Sequence, residues 1–152
     1  MRFWDSSALV PLVVDEPSSR QMGDLLRQDR GIALWWGSPV ECISALCRLQ
    51  REGELKPSAV RRKQAALENL RAHAAEVQPL SDVRARAIRL VATHRLRGAD
   101  AFQLAAALIW CSERPQKVGF VSRDVRLRAA AAAEGFQVLP YAEYVHEDDL
   151  AD

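Results

Sequence analysis

The chain has 152 residues, the length of one ordinary domain and too little for two. Apolar residues at 49% and charged residues at 27% exclude a disordered or fibrous chain, and no apolar run approaches the roughly 18 residues of a membrane span. The net charge of +1 divides unevenly: Arg48 to Arg97 carries 12 basic against 5 acidic residues, and the rest of the chain is net acidic. That asymmetry fits a basic face meeting a polyanion, and equally the solvated outer faces of arginine-rich helices.

Arg2 to Trp4 reads as a first short strand, with Asp5 directly after it. An acid at position 5 interrupts the hydrophobic stretch that a secretory leader would carry. Gly31 to Trp36 is a second strand, closed by Gly37-Ser38-Pro39. The helix predicted over Ser38 to Arg51 opens with Ser38 as N-cap, Pro39 in the first turn and Glu41 completing a capping box. Helical spacing of Val60, Leu67, Leu70, Ala74 and Val77 extends the next helix over Pro57 to Glu76. The following one runs from Ser81 to Leu96 on Val83, Ala87, Leu90 and Val91, and Gly98 is expected to cap it. Ala101 to Cys111 is apolar on every side except at Gln103, which marks a buried helix with Asp100 at its entrance. Lys117 to Val121 is a third strand, Val125 to Glu134 a helix stopped by Gly135, and Phe136 to Leu139 a fourth strand. Strands alternating with helices imply a three-layer α/β/α domain with a mainly parallel sheet.

In open parallel sheets, sites gather outside the carboxyl ends of the strands. Asp5 stands there after the first strand, Glu41 after the second and Asp124 after the third, and Asp100 joins them if its helix starts at the same edge. Each also has an ordinary explanation. Glu41 pairs with Ser38 in a capping box, Asp100 with Gln103 in another, and Asp124 caps the helix at Val125. Asp5 is the least easily explained, because Ser6 and Ser7 can cap the first helix themselves. Caps need not converge, however. Four acids in one cleft would raise one another's pKa and cost stability, a penalty that a divalent cation removes. Oxygen-only donors without His or Cys select Mg²⁺ or Mn²⁺ rather than zinc, and carboxylate-held Mg²⁺ serves phosphoryl transfer.

Several ordered pieces carry a family resemblance: Phe3-Trp4-Asp5-Ser6-Ser7-Ala8-Leu9-Val10, Ser38-Pro39-Val40-Glu41 followed by Ser44-Ala45-Leu46, Arg51-Glu52-Gly53-Glu54-Leu55, Leu96-Arg97-Gly98-Ala99-Asp100 through Ala107, and Ser122-Arg123-Asp124. In this order and spacing the chain resembles the PIN-domain ribonucleases, and within them the VapC-type toxins of toxin–antitoxin pairs. The resemblance spans nearly the whole chain. It implies a PIN-like sheet of four to five strands in one domain over residues 1–146, ahead of an acidic end at 147–152 read as a frayed tail. It further implies an acidic pocket of Asp5, Glu41, Asp100 and Asp124 that holds Mg²⁺ or Mn²⁺ for hydrolysis of RNA by in-line attack of water. Asp5 and Asp100 would be the principal ligands, with Ser122 supplying the accompanying hydroxyl. A cognate antitoxin and a homodimer are implied as partners. Two departures stand out: Ser122 occupies a position where threonine is commoner, and Val125-Arg126-Leu127 offers no further acid after Asp124.

Arg48, Arg51, Arg97 and Arg123 are candidates for RNA phosphates. For Arg123, an ion pair on the surface is the equal alternative. His73, His94 and His146 are scattered, without metal-ligand spacing. Cys42, Cys47 and Cys111 form no CxxC, which argues against zinc and disulfides and fits a reducing, cytoplasmic setting. Trp36 is a candidate for base stacking, though core or interface packing explains it better. Two rival families fail at particular positions. Haloacid-dehalogenase-type phosphatases need an acid where Ser7 stands, and response-regulator receivers need paired acids early in the chain. A PIN-like module that binds RNA or protein without turnover remains as the alternative function.

Overall fold

A computed structural model describes residues 1–141. Residues 142–146 of the expected domain, with His146, and the acidic end at 147–152 lie outside the described residues. The strands are β1 (Arg2–Trp4), β2 (Ile32–Trp35), β3 (Ala75–Val77), β4 (Gly119–Val121) and β5 (Gln137–Leu139). They form one sheet in the order β3-β2-β1-β4-β5, with every neighbouring pair parallel. The helices are α1 (Ser6–Leu9), continued by a 3₁₀ turn at Val10–Leu12, α2 (Ser19–Gln28), α3 (Ser38–Arg51), α4 (Pro57–Ala72), α5 (Ser81–His94), α6 (Gly98–Trp110) and α7 (Val125–Glu134).

Side chains of successive strand residues point to opposite faces, and that alternation makes three layers. Phe3, Ala33, Trp35 and Phe120 face one way into a core shared with α5, α6 and α7. Trp4, Ile32, Leu34 and Val121 face the other way, toward α1, α2, α3 and α4. Phe3 and Phe120 are partners across the β1–β4 register, and their rings stack 5.5 Å apart at 10°. Such a pair contributes about 0.5–1.5 kcal/mol beyond the area it buries. On the same face Trp35 stacks on Phe102 at 5.5 Å. The buried helix is α6: Ala101, Leu104, Ala105, Ala106, Ala107 and Leu108 are all sealed from solvent, and its alanines let it lie close to the sheet.

Several boundaries differ from the expectation. The helix starting at Pro57 stops at Ala72, and Ala75-Glu76-Val77 pairs with β2 as a fifth strand. Its charged centre and its length hid it, because Ala74 and Val77 also satisfy the helical period. Arg95, in the left-handed conformation (φ 54°), caps α5, and Gly98 opens α6 instead of closing α5. The N-cap of α3 is Gly37, not Ser38. A side chain at Gly37 would meet the Trp35 indole at 2.6 Å, so this turn needs glycine for room rather than for its φ. Gly135 does end α7 with a left-handed cap (φ 103°). The segment forming α2 carried no sequence prediction; it docks through Met22 and Leu25.

Among the described residues, no helix is long and apolar enough to cross a membrane.

Candidate active site

The strand order places the site. From β1 the chain moves outward through β2 to β3, and it then returns to the other flank of β1 for β4 and β5. The reversal lies between β1 and β4, and at such a switch point the loops leaving the strand ends part to leave a crevice. Asp5 leaves β1 there, and Ser122 and Asp124 leave β4.

Asp5 is buried at 3% exposure. Its carboxylate accepts from Ser7 Oγ at 2.8 Å and is also hydrogen-bonded by the Ser122 hydroxyl and the Ser7 backbone. Burial is the dominant influence and pushes the Asp5 carboxyl up to about 7, against those three hydrogen bonds, with the neighbouring Glu41 adding to the rise. The Ser7 hydroxyl in turn accepts from the Arg123 backbone N–H at 2.8 Å. Ser122, fully buried, accepts from the Asp124 N–H at 3.1 Å. Two serines therefore stitch the β4–α7 loop to the end of β1.

Glu41, in the first turn of α3, acts on Asp5 from the neighbouring helix and does not close a capping box. Its Oε2 accepts from Ser6 Oγ at 2.8 Å, and its Oε1 from Gln103 Nε2 at 3.0 Å. Gln103 also donates to Ser38 Oγ at 2.9 Å, in the interior between α6 and α3. The polar residue that interrupted an otherwise apolar helix is thus the post that holds Glu41 upright. The Glu41 carboxyl is raised by burial first, and by the charge of Asp100 after its hydrogen bonds.

Asp100 sits in the first turn of α6, where Arg97 is the N-cap; the expected Asp100–Gln103 box does not form. Partial burial and then the charge of Asp124 raise the Asp100 carboxyl, and Arg97 and Arg126 oppose the rise. Asp124 is a true N-cap, with Oδ1 accepting from the Leu127 N–H at 2.8 Å. The acids thus act on one another in sequence, Asp5 with Glu41, Glu41 with Asp100, and Asp100 with Asp124. Four elements deliver them to one edge of the sheet.

The donor set consists of hard oxygens. Cys42 lies beside it, but burial and the charges of Glu41 and Asp5 push its thiol up to about 12, so it offers no thiolate to a soft metal. Among the described residues no three His, Cys, Asp or Glu side chains meet closely enough to make a ready-built metal cage. Mg²⁺ does not demand one, since it keeps most of its water and takes one or two carboxylates. These residues fit such an ion.

Sequence reasoning names the four acids and Ser122, and gives Ser6, Ser7 and Ser38 a place as caps and in the motifs but no role in the site. Arg97 acts on Asp100 from the N-cap of α6. Arg123 is ion-paired to Glu16, and its side chain lines a separate cavity of about 960 Å³ between α2 and β5, which none of the four acids touches. Trp36 is half-exposed and meets Trp35 edge-on.

No protein-family model and no curated protein matches the sequence. Solved structures do align with it. They include FitAcB from Neisseria gonorrhoeae (TM-score 0.63, 16% identity, 92% of this chain and 97% of that one). PAE2754 from Pyrobaculum aerophilum aligns at a TM-score of 0.61 with 18% identity, over 85% and 83% of the two chains. A toxin–antitoxin complex from Klebsiella pneumoniae aligns at 0.57 with 16% identity, over 82% and 87%. At these identities the likeness is one of fold: the chain has the three-layer PIN-like architecture that its motifs implied.

Proposed function

We propose that this chain is a Mg²⁺- or Mn²⁺-dependent endoribonuclease, the toxin of a toxin–antitoxin pair, restrained by a cognate antitoxin. The observation that supports the reading is the chain of influence from Asp5 through Glu41 and Asp100 to Asp124 beside the switch point, with the carboxyl of Asp5, the N-cap of α1, buried against the preference of its charged form. The toxin–antitoxin complex among the structures of like fold supports the partner. The RNA substrate and the homodimer rest on the sequence resemblance, and the cytoplasmic setting on the cysteine pattern.

Asp5 and Asp100 would hold the ion, with Glu41 and Asp124 as further or water-mediated ligands. Bound there, a divalent cation supplies Lewis-acid charge for the phosphate and lowers the pKa of a water. Ser7 and Ser122 fix the Asp5 carboxylate from two sides, and Gln103 and Ser6 fix both oxygens of Glu41, so neither has to reorganise as a substrate arrives. Glu41, whose carboxyl burial raises above its ordinary value, would orient an attacking water. Arg97 and Arg126 balance the acids at the mouth, where the phosphodiester must approach.

A binding module without turnover is the second reading, favoured by the lack of a ready-built three-donor cage among the described residues. One pair of measurements separates the two. For a nuclease, Mn²⁺ raises the melting temperature of the parent but not of Asp5→Asn, and RNA cut by the parent stays intact with Asp100→Asn. A parent that gains no stability from Mn²⁺ and cuts no RNA refutes the enzyme.

A further inference from the structure

Beside the mouth of the carboxylate crevice lies a second cavity of about 540 Å³, lined by His94, Arg95, Arg126, Ala129 and Ala130. The end of α5 and the start of α7 build it: Arg95 takes the left-handed conformation that ends α5, and Arg126 stands on the first turn of α7. Ala129 and Ala130 form a wall without long side chains, so both guanidinium groups remain accessible.

The charge there meets no direct ion pair. Neither Arg95 nor Arg126 forms an ion pair with any described residue. The acid bonded to the cavity wall is Glu134, whose Oε1 meets His94 Nε2 at 2.6 Å. Its other oxygen accepts from Arg86 at 2.9 Å, so its charge is spent on that pair. Asp100, on which Arg126 acts, belongs to the crevice next door. Two guanidinium groups without an ion pair among the described residues, around an open cavity, are matched by a tetrahedral oxyanion, which each can bind through a fork of N–H donors.

We propose that the Arg95–Arg126 cavity is a phosphate subsite for the RNA strand, holding a backbone phosphate next to the one at the carboxylates. The proposal rests on the nuclease reading for its ligand. A strand with one phosphate at Asp100 must lead its neighbouring phosphates past the start of α6. The carboxylates alone would repel them, and Arg95 with Arg126 reverses the sign of the field on that side.

The test is fluorescence anisotropy of a labelled single-stranded oligoribonucleotide in EDTA across a salt series, for the parent and for Arg95→Ala/Arg126→Ala. Losing the one phosphate that the two arginines hold removes about 0.7 from the slope of log affinity against log salt. At low salt the affinity of the double variant falls about tenfold. Both side chains are exposed, and a thermal melt equal to the parent's confirms that the variant folds. Arg95→Lys/Arg126→Lys keeps most of the slope. Arg61→Ala/Arg62→Ala on α4 removes the same net charge elsewhere and keeps the parent's slope. A double variant whose slope is unchanged, a control that falls as far, or a parent that binds no RNA overturns the subsite. Cleavage is measured separately. A parent that binds with full slope and does not cut refutes the nuclease reading alone, and a double variant that cuts with unchanged slope and KM refutes the subsite alone.

Discussion

Asp5→Asn should make the metal-free protein more stable while abolishing its proposed chemistry. The Asp5 carboxyl titrates near 7 in the fold against 3.8 for an ordinary aspartate, chiefly because burial disfavours its charged form. A shift of that size corresponds to roughly 4 kcal/mol at about 1.4 kcal/mol per tenfold. Because the folded carboxyl keeps its proton to higher pH than the unfolded one, its contribution to stability is fully present below pH 3.8. It is lost as pH rises through about 7. Asparagine cannot ionise, and its carbonyl can still accept from Ser7 Oγ and the Ser122 hydroxyl. Allowing for imperfect geometry of the amide, the variant should gain about 2–4 kcal/mol above neutral pH, a large fraction of the roughly 5–15 kcal/mol typical of a domain. Urea unfolding in EDTA, followed by circular dichroism across this pH range, measures it. Equal stability above neutral pH, or a gap between parent and variant that does not widen as pH rises, would refute the argument that Asp5 is buried at a cost.

Asp124→Asn keeps an acceptor for the Leu127 N–H and should leave urea stability within about 0.5 kcal/mol of the parent while RNA cleavage falls; Asp124→Ala should lose about 1 kcal/mol in the same titration. Gln103→Leu, of similar size, leaves Glu41 Oε1 and Ser38 Oγ without their buried partner. It should cost about 1–3 kcal/mol by urea unfolding and lower cleavage without touching a proposed ligand. Arg128 donates to the carbonyls of Ser122, Leu139 and Pro140, tying the site loop to the end of β5. Arg128→Ala should cost about 2–4 kcal/mol in a chemical-denaturation midpoint, and Arg128→Lys should recover only part, because a single ammonium cannot reproduce the fork.

The layers were legible because they follow from signals with one meaning. Apolar runs closed by Gly37-Ser38-Pro39 and Pro140 made strands, and the unbroken apolar surface of Ala101 to Leu108 could only be a covered helix. What failed had two meanings. Val77 fits a helical face and a strand equally, and the backbone partner that decides, Trp35, lies far away in sequence. Gly98 looks like a C-cap, yet Arg95 bends into the left-handed region first and leaves Gly98 to start α6. The helix Ser19–Gln28 escaped because its first turn has no acid and its docking rests on Met22 and Leu25, too few apolar positions to set a period.

The site divides along the same line. Capping and convergence compete for the same acids, and sequence alone could not separate them because both place a carboxylate at a helix start. Geometry does so residue by residue. Asp124 caps α7 and acts on Asp100, so the two roles coexist in one side chain. Glu41 has abandoned its cap: Gly37 holds that position, and both carboxylate oxygens are claimed by side chains from α1 and α6. A capping acid turns toward its own helix, whereas Glu41 is held away from its helix by Ser6 and by Gln103, 62 residues distant in the chain. Gln103 is itself buried in an apolar helix, where an unpaired amide would be costly, and its burial is compensated only because Ser38 and Glu41 are there to receive it. That reciprocal dependence, a buried amide paired with an acid that does not cap its own helix, is something coincident helix caps would not require.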